Sequence, residues 1–196
     1  MEEDNSTVQK SFLIIILIIV IGLISLTSII AFVTRSAMAK NVITFGSLKM
    51  QLLQTTIDEN NNEVEVENNK DINITYKSTL SRIVKIKNLG KHDFFARISL
   101  NLVGTDTNNQ TFDANKFVIY NINNEDWIYK DGWYYYKKIV KQDEITSNLL
   151  TEVYFNINDI TIEYPNSKVK LDINAEAVQA ENNNEKVLEA VGWPSK

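Results

Sequence analysis

Alternation of apolar and polar residues dominates this chain after about residue 40. In 93–103, Phe94, Ala96, Ile98, Leu100 and Leu102 fall on one face, and the positions between them include Arg97, Ser99 and Asn101. A period of two places apolar side chains on one face of a strand and polar side chains on the other. The same period is present in 48–52, 82–87, 117–122, 153–157, 160–164 and 169–177, so the pattern predicts a strand in each of these segments.

Clean alternation is typical of antiparallel sheets that bury one face and expose the other. Two such sheets must cover each other's apolar faces, which predicts an all-β fold, an antiparallel β-sandwich. A jelly-roll-like arrangement is the favoured variety of sandwich, and the periodicity alone does not select it.

An aromatic hairpin is predicted at 127–136, which reads WIYKDGWYYY. Asp131-Gly132 tolerates the positive φ angles of a two-residue turn. Such a turn pairs Lys130 with Trp133, Tyr129 with Tyr134, and Trp127 with Tyr136. The rings of Trp127, Tyr129, Tyr134 and Tyr136 then share one face. That face is either a wall of the core or an exposed platform for a glycan or a partner chain.

A nearly unbroken apolar run at 12–33 precedes the alternating region, and no charge interrupts it. It is long enough to cross a bilayer as a helix. Ala37-Met38-Ala39 has the small-x-small pattern of a signal-peptidase site, which predicts cleavage near Lys40. A retained anchor is the alternative, because the run is longer than a usual signal core and acidic residues precede it. The sequence therefore divides into a signal peptide or membrane anchor at 1–39 and one domain at 40–196.

The segment 58–71, DENNNEVEVENNKD, is rich in acidic and amide side chains. We interpret it as a solvated edge strand whose charges deter pairing between molecules. A calcium site is the alternative, although the spacing does not match an EF-hand loop. Asn5, Asn73 and Asn109 each begin a glycosylation sequon, a motif short enough to arise by chance.

Charge and chemistry narrow the class of function. The formal charge is −5, which gives no electrostatic footprint for nucleic acid. There are no cysteines, and His92 is the only histidine, so neither a cysteine nucleophile nor a site of the His-Glu-x-x-His kind is available. The sequence predicts no catalytic residues, no metal ligands and no cofactor.

The order of several short blocks resembles the TasA/camelysin-type proteins, which Gram-positive bacteria export through a SipW-type signal peptidase. The first block is the leader followed by NVITFGSLKM at 41–50. The later blocks are SRIVKIKNLG at 81–90, FARI at 95–98, DGWYYYK at 131–137, AEAVQA at 175–180, and Trp193. The acidic N-terminus departs from the lysines usual in that family.

The resemblance implies a jelly-roll fold and a role in biofilm-matrix or surface fibres. It also implies cleavage nearer Ala31-Phe32 than Ala39, so the predicted cleavage region spans Ala31 to Lys40. Some members carry a metalloprotease label, and the absence of a second histidine here speaks against that activity.

The function expected from the sequence is therefore a secreted, non-enzymatic fibre protein of the matrix or cell surface, inserted in the membrane as a precursor. Its partners would be copies of itself, joined head to tail, and the SipW-type peptidase. After cleavage, Val42, Ile43 and Phe45 would form a strand donated to the next subunit. The alternatives are a monomeric adhesin that binds through the aromatic hairpin and, third, a camelysin-like metalloprotease.

Overall fold

A computed structural model of the protein describes residues 42–45, 48–66, 79–183 and 185–194. Strands make up most of these residues. They are β1 Val42–Phe45, β2 Leu48–Ile57, β3 Glu63–Glu65, β4 Thr79–Asn88, β5 Phe94–Thr105, β6 Thr111–Asp113, β7 Val118–Ile122, β8 Trp127–Lys130, β9 Trp133–Tyr136, β10 Leu150–Phe155 and β11 Lys168–Gln179. One α-helix, α1 Ile157–Glu163, and two short 3₁₀ helices, Asn115–Phe117 and Val187–Glu189, complete the described elements.

The strands form two antiparallel sheets. The six-stranded sheet has the order β1-β2-β4-β10-β7, with β3 paired to β2 beyond β1. The five-stranded sheet has the order β11-β5-β9-β8, with β6 paired to one end of β5. Since antiparallel sheets commonly bury one face, each sheet can cover the other.

The two sheets share one apolar core. The six-stranded sheet contributes Met50, Val84 and Leu150, and the five-stranded sheet contributes Ile98 and Leu171; each is at most 3% exposed. The predicted all-β, two-sheet architecture is thus confirmed. The strands expected at 48–52, 82–87, 93–103 and 169–177 are present. The apolar positions named for 93–103 face this core, and so do the alternating apolar residues of 169–177: Val169, Leu171, Ile173, Ala175 and Ala177.

The strand expected at 160–164 is wrong, and so is the extension of its predecessor to Ile157. The segment forms α1, which buries Ile160 completely and leaves Ile162 81% exposed. Ile160 and Tyr164 are four residues apart and point to one side, as helical geometry requires. A short run of β-branched residues is compatible with either element, which is why the alternation misled.

Packing around Gly104 explains where the helix ends. The ring of Phe112 lies over Gly104, where a Cβ would come within 2.1 Å of its Cζ atom. The ring of Tyr164, just after α1, stacks on Phe112 at 3.6 Å between centroids and 5° between planes. Helix α1 therefore positions an aromatic side chain that closes this end of the core.

Candidate functional site

The edge strand β1 is the first element of the candidate assembly site. It pairs with β2 in the register Val42 to Gln51, Ile43 to Met50, Thr44 to Lys49 and Phe45 to Leu48. Ile43 is half-buried and packs against the core, while the side chains of Val42 and Phe45 lie outside the described residues. In the single chain the predicted donor segment thus lies in its home sheet, and donation between chains stays a prediction.

Strand edges are where another chain can add by main-chain hydrogen bonding. On one edge of the six-stranded sheet, β1 and β3 lie along successive parts of β2, and on the other edge lies β7. Strands β11 and β8 form the edges of the five-stranded sheet. The described part of the chain therefore offers both a short strand to donate and edges to receive one.

The aromatic hairpin forms in the predicted register. Trp127 pairs with Tyr136, Tyr129 with Tyr134 and Lys130 with Trp133. Asp131 and Gly132 have φ angles of 51° and 84°, as a two-residue turn requires.

The four rings of the predicted shared face differ in accessibility. Trp127 and Tyr136 are 1% and 4% exposed and lie 5.0 Å apart in the core. Tyr129 is 59% exposed, and its ring lies 4.9 Å from that of half-buried Tyr134. Burial raises the pKa of the Tyr134 hydroxyl, and nearby Tyr129 raises it further. A platform of four exposed rings is therefore excluded, and a binding role for the hairpin depends on Tyr129.

The opposite face of the hairpin carries a cluster that the sequence analysis missed. Arg97 lies between the rings of Trp133 and Trp193, at 4.3 and 4.5 Å from their centroids. Its Nε and Nη2 atoms donate to one carboxylate oxygen of Glu176, and Nη1 donates to the Tyr135 hydroxyl. The alternation assigned Arg97 to solvent, whereas the C-terminal segment that carries Trp193 covers it. Trp133 and Tyr135 alternate along β9 with Tyr134 and Tyr136, which face the core. This alternation was the sequence signal for a second aromatic cluster on the opposite face.

Arg82 is the second feature that was missed. It is 4% exposed on the core-facing side of β4, and its Nε and Nη1 atoms have no hydrogen-bond partner. Burial lowers the pKa of its guanidinium group. Beside it, the pairing of β10 with β4 is interrupted by a bulge between Leu150 and Glu152. Arg82 shares its sequence parity with Val84 and Ile86, which was the signal for an inward-facing side chain.

The described part of the acidic segment, 58–66, contains the short edge strand β3 and the loop before it. Asp58 Oδ1 accepts hydrogen bonds from the backbone N–H groups of Asn60 and Asn62, at 2.9 and 2.8 Å. These bonds lower the pKa of Asp58, and the bond from Asn62 has the larger effect. Glu63 accepts from Lys85 Nζ and Thr55 Oγ1, both at 2.6 Å. Among the described residues, no group of three or more histidine and acidic side chains has the arrangement of a metal site.

The remaining predictions concern His92, the glycosylation sequons, the cleavage region and the membrane-spanning helix. His92 is an exposed residue of the bend between β4 and β5, and its carbonyl accepts from Asn88 Nδ2 at 2.9 Å. Asn109 lies in the loop between β5 and β6 with a φ of 62°. The cleavage region Ala31 to Lys40, including Phe32, Ala37, Met38 and Ala39, lies outside the described residues, as do Asn5 and Asn73. No helix within the described ranges is long and apolar enough to span a membrane.

Comparison with known proteins adds no assignment. No family model, no curated protein and no solved structure matches the chain.

Proposed function

We propose that this chain is an exported structural protein that assembles into biofilm-matrix or cell-surface fibres by donating β1 from each subunit to the next. It acts without catalysis, and its principal partner is another copy of itself. The chain crosses repeatedly between the two sheets, at β4 to β5, β6 to β7, β7 to β8, β9 to β10 and β10 to β11, and this supports a jelly-roll-like form of the sandwich.

Export is the first step of the proposal. The apolar run at 12–33 holds the precursor in the membrane, and a SipW-type peptidase cleaves between Ala31 and Lys40. The resemblance of the blocks at 41–50, 81–90 and 131–137 to TasA/camelysin-type proteins supports this route. N-terminal sequencing of the protein from culture medium tests it; recovery of only the intact chain from membranes would contradict it.

The position of β1 is the observation that carries the assembly step. It follows the cleavage region directly, has four residues and lies at a sheet edge, where it pairs with β2 alone among the described strands. Chain ends are held only by what they pair with, and a strand of this length has few hydrogen bonds to exchange. Release from the leader therefore frees a segment that can pair equally well with another chain.

The same register serves both arrangements. When β1 leaves β2, the edge at 48–51 opens and can accept β1 of a neighbouring subunit in the pairing now made within one chain. Such an exchange creates few new contacts, so its free-energy difference is small and protein concentration decides the outcome. A head-to-tail exchange that does not close on itself yields an open filament.

Deletion of residues 40–45 from the secreted protein tests the proposal. The sandwich core lies in β2 to β11, so we expect a folded monomer that no longer forms fibres in electron micrographs. The control variant is Ile119→Ala, an exposed residue of β7 at the opposite edge of the sheet, because it leaves β1 intact. Fibres of normal length from the 40–45 deletion would rule out donation by this segment.

A second candidate function rests on Tyr129. Its ring is 59% exposed beside that of Tyr134, as in surfaces that stack on sugars or on a partner's side chains. Tyr129→Ala should abolish binding of the protein to glycan-coated surfaces if it is an adhesin and should leave fibre formation unchanged. Equal glycan binding by the unchanged protein and by Tyr129→Ala would exclude the adhesin function.

A further inference from the structure

The edge formed by β11 has one strand neighbour among the described strands. Its twelve residues pair with β5 without interruption, from Lys168 opposite Thr105 to Gln179 opposite Phe94. Among the described residues, no backbone group outside β5 hydrogen-bonds to the backbone of 169–178. The outer side of β11 is therefore a row of main-chain donors and acceptors that a further strand can satisfy.

This edge has neither the proline nor the bulge that block pairing at many sheet edges, and its outward charges are of both signs. Its inward residues are all apolar: Val169, Leu171, Ile173, Ala175 and Ala177. The short edge strand β3 differs, since it carries Glu63 and Glu65 and every residue in it is exposed. The length and regularity of β11 favour pairing rather than its avoidance.

We infer that β11 pairs antiparallel with β11 of a second copy of this chain, in the register centred on Leu171. Continuation of the sheet requires core-facing residues of the two copies to lie opposite each other, so a shift by one residue is excluded. With Leu171 at the centre, Lys170 of each copy lies opposite Asp172 of the other. Opposite charges in directly paired positions stabilise a sheet.

Neighbouring registers are less favourable because of charge. A shift that centres the pairing on Asp172 places two carboxylates opposite each other, and one centred on Lys170 does the same for two ammonium groups. Centring on Ile173 would pair Lys170 with Glu176, but that carboxylate already accepts two N–H groups of Arg97. Lys170 and Asp172 are joined within one chain at 3.0 Å and are partly exposed, so both can also reach a second copy.

The pairing goes beyond strand donation and uses another edge. It relates two subunits by a two-fold axis and joins their five-stranded sheets into one continuous sheet. Donation of β1 extends a fibre along its length, whereas β11 pairing connects two subunits side by side. Either contact can form when the other fails.

Single cysteines in the full chain, which has none of its own, test the inference. Lys170→Cys and Asp172→Cys are made in separately tagged chains, kept in detergent and oxidised alone and as a mixture. Directly paired residues lie within disulfide distance, so the mixture should form the 170–172 disulfide between chains in high yield. Each variant alone should form little, and Lys130→Cys on the far edge β8, mixed with Asp172→Cys, is the control for random collision.

Charge variants give a second readout that needs no oxidation. Lys170→Glu and Asp172→Lys should each weaken self-association in sedimentation, and mixing the two should restore it, because each changed charge then meets its complement. Cross-linking of either cysteine variant with itself in preference to the mixture would overturn the register. Absence of the 170–172 disulfide, or unchanged association of both charge variants, would overturn β11 pairing.

Discussion

The edge strands β1 and β11 show how differently one sandwich can hold its borders. Strand β11 pairs with twelve residues of β5 and buries five inward apolar side chains. Strand β1 pairs with four residues of β2, and the one side chain described in it, Ile43, is only half-buried. Strand β11 is long and well packed, so it is a permanent part of the domain. Strand β1 is short, so few contacts break when it leaves the sheet. The two edges therefore suit different contacts. Strand β11 suits the addition of a partner strand, and β1 suits exchange between chains.

The largest expected effect is on the permanent edge. Leu171 is 3% exposed, so Leu171→Ala should lower the free energy of unfolding by about 2–5 kcal/mol. Urea denaturation of the secreted protein measures this, with exposed Asn174→Ala on the same strand as the control. A loss no greater than that of the control would show that β11 is not anchored as described.

The two sheets should also respond differently to loss of an arginine. Arg82, beside β2 in the sheet that holds β1, is buried without partners for two of its nitrogens, so Arg82→Met should raise the free energy of unfolding by about 1–4 kcal/mol. Arg97→Met should lower it, because Glu176 would lose its partner. Thermal unfolding of both variants provides the test, and destabilisation by Arg82→Met would indicate that Arg82 has a structural partner.

A smaller effect on the monomer is expected at the exchangeable edge. Ile43 is half-buried, so Ile43→Ala should cost the monomer about 1 kcal/mol. If donation uses this side chain, the same variant should slow fibre growth far more than it lowers monomer stability. The matched control is Ile119→Ala at the opposite edge, where the side chain is 72% exposed. Equal fibre growth by the two variants would remove Ile43 from the donated strand.

The smallest effect concerns β3, which shares the edge of β2 with β1. The hydrogen bond from Lys85, with that from Thr55, holds the pKa of Glu63 below its ordinary value of 4.5. A lowered folded-state pKa gives stability that is fully present above 4.5 and lost as pH falls through the folded value. Because the Glu63 side chain is 41% exposed and solvent screens the pair, the loss should be about 0.5 kcal/mol or less. Amide exchange in 63–65 as pH falls, compared with Glu63→Gln, measures it; identical profiles would contradict the assignment.

The sequence was sufficient wherever one rule decided the structure. Alternation over nine or more residues identified β5 and β11, and the Asp131-Gly132 turn fixed the register of the aromatic hairpin. Prediction from the sequence failed where contacts between distant residues determine the secondary structure. Ile160 and Ile162 alternate like a strand, but the segment is helical, and Tyr164 just after it stacks on Phe112, whose ring covers Gly104.

Residues at the candidate sites were predictable to different degrees. The position of β1 after the leader follows from chain order, and the hairpin rings follow from turn geometry. Trp127 is buried and Tyr129 exposed although both lie on one face of β8, a difference that periodicity does not contain. The covering of Arg97 by Trp193 joins residues far apart in the chain, so no local pattern could reveal it.

Trapping of β1 by disulfides tests the central claim most directly. Thr44 and Lys49 are paired residues of β1 and β2, so Thr44→Cys and Lys49→Cys placed in separate chains are held within disulfide distance when β1 of one chain lies on β2 of another. If β1 is donated between subunits, we expect disulfide-linked chains when the two secreted variants are mixed and form fibres. When both cysteines are in one chain, we expect a locked monomer. Normal fibres from the mixture without a disulfide between chains would contradict it.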